Sequence, residues 1–179
     1  MTAHWTLYPG RSRLPDAASP DVRARSHIIA AEVLLPRPSD GGVLIAHGDS
    51  GAGYALRIAG GRLVHHYVHR GQPTTTTSSV DVPHGWPVRV EARVTRTGVG
   101  AEVMLVIDGA AAGVGTIPEM ARARTGYTGV DVGCDRGLTV GHYSAPARFT
   151  GQLTRVDIDA ADDQWLDHAA ALEIEGATQ

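Results

Sequence analysis

The sequence predicts an all-β domain, an antiparallel β-sandwich or jelly roll of about 10–13 strands followed by a short C-terminal helix. Three observations lead there. Short β-prone stretches recur from Arg25 to Asp159. Gly-Gly, Asp-Gly and Pro-bracketed turns separate them at regular spacing. Helical periodicity is scarce until the last residues.

The elements follow in order. Residues 1–24 carry Pro9, Pro15 and Pro20 and read as an irregular arm. RSHIIAAEVLLP (Arg25 to Pro36) is a strand that proline ends, and GGVLIAHG (Gly41 to Gly48) is the next. GYALRIAGGRLVHHYVHRG (Gly53 to Gly71) is a hairpin with Gly60-Gly61 at its tight turn. TTTTSSVDV (Thr74 to Val82) is β-prone but polar, which suits a sheet edge. VRVEARVTRTG (Val88 to Gly98) alternates with period two. AEVMLVIDGAAAGVGTIP (Ala101 to Pro118) is a second hairpin, turning at Asp108-Gly109. GVDVGCDRGLTVGHYSAPARFTGQLTRVDID (Gly129 to Asp159) reads as strand, long loop, strand. A short helix near Pro118–Arg124 and a terminal one over Asp162–Glu175 complete the expectation. The chain therefore divides into the arm (1–24), the jelly roll (25–160) and a helix or tail (161–179).

Composition narrows the function classes. The chain has 179 residues, 42% hydrophobic and 20% charged, enough for one domain with a core. A net charge of −3 offers no broad basic footprint for nucleic acid. All 16 basic residues are arginine, a bias we assign to codon usage. Cys134 is the single cysteine, so no intrachain disulfide forms. No apolar run reaches the roughly 18 residues that span a bilayer, and MTAHWTLYPGRSRLP does not read as a signal peptide. The expectation is a cytoplasmic protein with neither membrane nor nucleic acid as partner.

Familiar catalytic constellations fit poorly. His65 and His69 lie roughly 13 Å apart along one strand, too far to share a metal, and no cofactor or metal is expected. Glu91 stands alone between two arginines, and Asp157 and Asp159 alternate on another strand, which is not a glycosidase pair. No G-x-S-x-G elbow occurs. Cys134 sits in VGCDRG and has no built-in activating context beyond Arg136.

The more informative signal is apolar excess. In a sheet with one wet face, each strand buries alternate residues. Val88, Val90, Ala92 and Val94 obey this, leaving Arg89, Glu91 and Arg93 outside. The next strand does not: Val103, Leu105 and Ile107 fill the core, yet Met104 and Val106 face outward. Likewise Leu63, His65, Tyr67 and His69 point in, and Val64, His66 and Val68 point out. An apolar outer face needs a cover: a ligand, the folded arm, internal packing or a partner subunit. A ligand groove would use His66, Arg89 and Glu91 for chemistry. Val64, Val68, Met104 and Val106 would form its wall, with Tyr54, His142 and Tyr143 at the rim.

The Gly129–Asp159 block resembles the C-terminal concanavalin A-like domain of bacterial arylsulfatases. YPGRSRLP, RSHIIAAEV, GGVLIAHG, GYALRIAGGR, VRVEARV and VMLVIDGAAAGVGTIP resemble its arm and earlier strands, so the likeness extends over most of the chain. It implies a jelly roll of two curved antiparallel sheets. It does not imply sulfatase activity, because Cys134 lies outside any C-x-P-x-R context. Two readings stay open. One is a stand-alone cyclase or isomerase that needs no cofactor, takes a largely apolar polyketide-like molecule and works by positioning it. The other is a non-catalytic lectin-like or accessory module that binds carbohydrate or a protein. A homodimer through an edge strand also stays open.

Overall fold

The computed structural model describes residues 3–10, 13–122, 128–141, 143 and 147–166. Its strands are β1 (Ala3–Leu7), β2 (His27–Leu34), β3 (Gly42–Gly48), β4 (Gly53–Ala59), β5 (Arg62–His69), β6 (Gln72–Asp81), β7 (Pro87–Thr97), β8 (Gly100–Ile107), β9 (Ala110–Ile117), β10 (Val130–Val132) and β11 (Gln152–Ala160). They form a six-stranded sheet, β1-β11-β2-β7-β8-β9, and a five-stranded sheet, β10-β3-β4-β5-β6. Every pairing of neighbours within these sheets is antiparallel. The expected β-sandwich is the observed one.

Local chemistry sets the register. Gly60 and Gly61 have φ of 56° and 78°, and Asp108 and Gly109 have 47° and 81°. Two consecutive positive φ values make the tight hairpin turn whose twist matches the strands it joins. Those turns place Ala59 opposite Arg62 and Ile107 opposite Ala110. The polar β6 lies at a sheet edge, as its composition predicts. It closes against β9 of the other sheet, where a Cβ on Gly113 would stand 2.8 Å from the Thr77 carbonyl oxygen. The small residues of AAAGVGTI therefore let the two sheets meet.

The main core lies between the sheets. Ile29, Ala31 and Val33 of β2, Val88, Val90, Ala92 and Val94 of β7, and Val103, Leu105 and Ile107 of β8 face Leu56, Ile58, Leu63 and Tyr67. For β7, β8, Leu63 and Tyr67 this is the alternation read from the sequence. Two buried histidines enter the same region. His27 donates its Nδ1 proton to the Arg25 carbonyl over 2.9 Å. His65 is 1% exposed.

Two expectations change. The arm is not wholly irregular, because Ala3–Leu7 pairs with β11 along the sheet edge. Its alternation, with Trp5 and Leu7 turned to the core, was masked by the prolines that follow it. The terminal helix does not begin within residues 162–166, where Ser26 and Arg96 bind Asp163 instead; the remainder of that stretch lies outside the described residues. Residues 118–122 are likewise not helical. Among the described residues no helix is long and apolar enough to cross a membrane.

Candidate functional site

The sandwich has two outward faces, and the predicted site residues are divided between them. On the five-stranded sheet, Val43, Ala46, Ala55 and Val68 face outward and form a second small core with Val140. Tyr143 and Ala147 pack on it. The cover is the chain's own loop between β10 and β11. Asp135 organises that loop: it accepts hydrogen bonds from the Tyr143 hydroxyl at 2.8 Å and the Val140 amide at 3.3 Å. Asp131 accepts from the Arg13 guanidinium at 2.6 Å and the Arg136 amide at 2.9 Å, tying arm to loop. Arg57 stacks over the Tyr143 ring at 4.5 Å, and the His66 ring lies 5.6 Å from it. Burial and the Asp135 carboxylate hold the Tyr143 hydroxyl protonated well above the ordinary phenol range.

Val64, His66 and Val68 do face outward, as expected. Val64 and Val68 are buried there, and His66 pairs through Nδ1 with the Thr75 hydroxyl at 3.1 Å. Internal packing, not an open groove, accounts for the apolar excess of this face. His142 lies outside the described residues. Tyr54, expected at the groove rim, instead turns into the main core at one end of the sandwich.

The six-stranded sheet presents a different face. Arg89 donates to Glu91 at 2.8 Å and Arg93 donates to the other carboxylate oxygen at 2.7 Å. Arg155 donates to Glu32 at 2.6 Å and to Asp157 at 2.9 Å. Arg89 also lies 3.9 Å from both Glu32 and Asp157, joining the two clusters. Thr6 donates to Asp157 at 2.8 Å. Burial alone would raise the Glu91 carboxyl, but the hydrogen bonds from Arg89 and Arg93 outweigh it and hold it below the ordinary glutamate range. Asp157 is lowered in the same way by Arg155 and Thr6. Both carboxylates are therefore ionised acceptors at neutral pH, unsuited to proton transfer.

Next to this lattice, Met104 and Val114 are paired across β8 and β9 and are 41% and 78% exposed. They line a shallow depression of about 370 Å³ with Arg93, Thr95, Glu102 and Thr116. Val106 shares the face but is buried opposite Glu91. Long arginine stems lying along a sheet cover such a residue without a ligand.

The three residues expected to do chemistry together are thus kept apart. His66 points away from the five-stranded sheet, while Arg89 and Glu91 point away from the six-stranded one. Two sheets packed about 10 Å apart separate them. Sequence reasoning placed Arg89 and Glu91 on a shared face but missed Glu32 and Arg155. The missing signal is cross-strand register, which sets Glu32 opposite both Arg155 and Arg89. Among the described residues, no three His, Cys, Asp or Glu converge as metal ligands.

No protein-family model matches the chain, and no curated protein sequence matches it significantly. Solved structures do match by shape. Domains LG4-5 of the mouse laminin α1 chain superpose with a TM-score of 0.61 at 16% identity, over 93% of this chain and 44% of theirs. The chain thus spans under half the length of that fragment. The CBM40 domain of a Ruminococcus gnavus sialidase gives 0.57 at 14% identity, over 79% of this chain and 80% of that one. The Caenorhabditis elegans galectin LEC-6 gives 0.50 at 7% identity, over 87% and 95%. The fold is a concanavalin A-like jelly roll. The likeness to arylsulfatase C-terminal domains has no counterpart among the sequence matches.

Proposed function

We propose that this chain is a lectin-like binding module that takes a neutral saccharide on the outward face of its six-stranded sheet. One observation carries the reading: this face is an ordered, accessible lattice of paired guanidinium and carboxylate groups, bordered by the exposed Met104–Val114 pair. Arg89, Arg93 and Arg155 are between 38% and 45% exposed at their side chains, so a ligand reaches them. Their partners Glu32, Glu91 and Asp157 balance their charge, so the lattice does not select an anion. A sugar hydroxyl both donates and accepts. It can bridge a fixed guanidinium N–H and a fixed carboxylate oxygen at little cost in side-chain ordering, because the ion pairs already hold both rotamers. The apolar face of a pyranose ring would rest on Met104 and Val114.

The structural neighbours support a saccharide, though not its neutrality, by analogy: the R. gnavus CBM40 domain has been solved bound to α2,3-sialyllactose, an acidic sugar. Fold analogy alone does not assign a sugar. A cyclase that combined His66, Arg89 and Glu91 in one groove would need residues that the sandwich separates. A relation to arylsulfatase appendages would leave the same face available, with the enzyme as a protein partner.

A glycan array read with purified protein tests the proposal. Binding to neutral glycans is expected, lost in Arg89→Ala and Met104→Arg and retained in His66→Ala. Absence of glycan binding, or binding indifferent to the first two substitutions, would overturn it.

A further inference from the structure

A second place in the molecule has the makings of a binding site, independent of the saccharide face. It lies at the end of the sandwich where β3 and β4 meet, and the arm closes over it. Pro20, Val22, Ala52, Tyr54, Tyr67 and Ala121 contribute to its wall, around a cavity of about 70 Å³. Two carboxylate contacts flank it. His47 Nε2 lies 2.9 Å from Asp16, and Arg23 donates to both oxygens of Asp21 at 2.8 and 2.7 Å.

The polar groups here are spoken for, with one exception. The Tyr67 hydroxyl accepts the Ala121 amide at 2.7 Å. The Tyr54 hydroxyl is buried in a residue only 4% exposed and has no hydrogen-bond partner among the described residues. Leaving a buried hydroxyl unmatched is costly, and native proteins rarely do so without a reason. The ring is held firmly, edge-on to His47 at 5.5 Å and tilted against His27 at 6.3 Å. Burial and the nearby Asp21 carboxylate keep the phenol protonated, so it serves as a donor. A pocket with mostly apolar walls and one placed donor is the usual composition of a small-molecule site.

We infer that this cavity binds a compact neutral molecule, or the end of a larger one, through a carbonyl oxygen that accepts the Tyr54 hydroxyl proton. Size limits the buried part to a small group, since an apolar cavity that takes benzene is roughly 150 Å³. The flanking groups argue against an anion, because Asp16 and Asp21 line the cavity. Arg23 offsets the Asp21 charge through its paired hydrogen bonds, which favours an uncharged acceptor at the Tyr54 hydroxyl.

Amide chemical-shift titrations with acetone, and with 2-methylpropene as the shape-matched control without an acceptor, test this site. Saturable shifts at Val22, Ala52, Gly53 and Ala121 are expected with acetone. Tyr54→Phe should weaken acetone by roughly tenfold and leave 2-methylpropene unchanged. That variant removes only an unpaired hydroxyl, so its fold should be kept. Ala121→Leu, which fills the cavity, should abolish both titrations. Met104→Arg on the saccharide face should alter neither, which separates this site from that one. Shifts that never saturate, that fall elsewhere, or that persist equally in Tyr54→Phe would overturn the inference.

Discussion

The five-stranded sheet turns Val43, Ala46, Ala55 and Val68 outward and buries them under its own loop. The six-stranded sheet turns Glu32, Arg89, Glu91 and Arg155 outward and leaves the arginines roughly two-fifths exposed. Both faces belong to one sandwich and share one core, yet one has become interior and the other surface. The difference teaches where to look for function. An apolar outer face signals a need for cover, and intramolecular cover meets that need before any ligand arrives. A charged outer face that is internally paired, ordered and uncovered still has hydrogen-bonding capacity to offer.

The largest test of the comparison strikes the covered face. Val140 is fully buried between the loop and the sheet. Val140→Asp would place an unpaired charge there, costing about 3–5 kcal/mol. Urea denaturation should register the loss, and the amides of the β10–β11 loop should lose exchange protection. A cost below about 1 kcal/mol would mean that the loop is not part of the folded unit, and the contrast between the faces would collapse.

Acid separates the core from the open face. Burial pushes His27 down to about 4 and His65 to about 3, so both are neutral in the fold. Their unfolded values lie near 6.5. Between those limits the unfolded chain binds more protons, so their contribution is complete above about pH 6.5 and is lost as pH falls towards 3. Glu91 and Asp157, held below the ordinary carboxylate range, contribute stability above that range. They lose it only as pH falls through their lowered values. Denaturation midpoints measured from pH 7 to 3 should therefore drop first with the histidines, by a few kcal/mol in all. Glu91→Gln should change only the most acidic part of that curve. A stability profile flat from pH 6.5 to 5 would show that the histidines are not buried as neutral rings.

The sandwich was legible because its signals are local. Gly60-Gly61 and Asp108-Gly109 announce their turns, and Val88 to Val94 announce an alternating strand. The polar Thr74–Val82 stretch announces an edge. The functional geometry was less legible because it is not local. Met104 and Val106 were correctly read as outward, as were Val64, His66 and Val68. Nothing in sequence spacing says that the two groups lie on different sheets facing opposite ways. Glu32, inside the apolar run HIIAAEVL, looks like an exception until register sets it beside Arg89 and Arg155. Tyr54 reads as a rim residue in the sequence, yet it packs in the main core between the sheets.

The smallest effect on stability should carry the sharpest information about the open face. Met104 and Val114 are exposed, face the same way and pair across two strands at the margin of the arginine lattice. Replacing both with serine removes apolar area that folding leaves largely in water, so the denaturation midpoint should move by no more than about 0.5 kcal/mol. If the face binds saccharide, the same double variant should weaken glycan binding severalfold, because the sugar's apolar side loses its seat while the charged lattice is untouched. Raised salt should change that binding little, since the lattice is charge-balanced and its ligand neutral. A large stability loss would instead mean that Met104 and Val114 are covered in solution, as Val43 and Val68 are. The six-stranded face would then be a second interior surface, with the covering element still to be found.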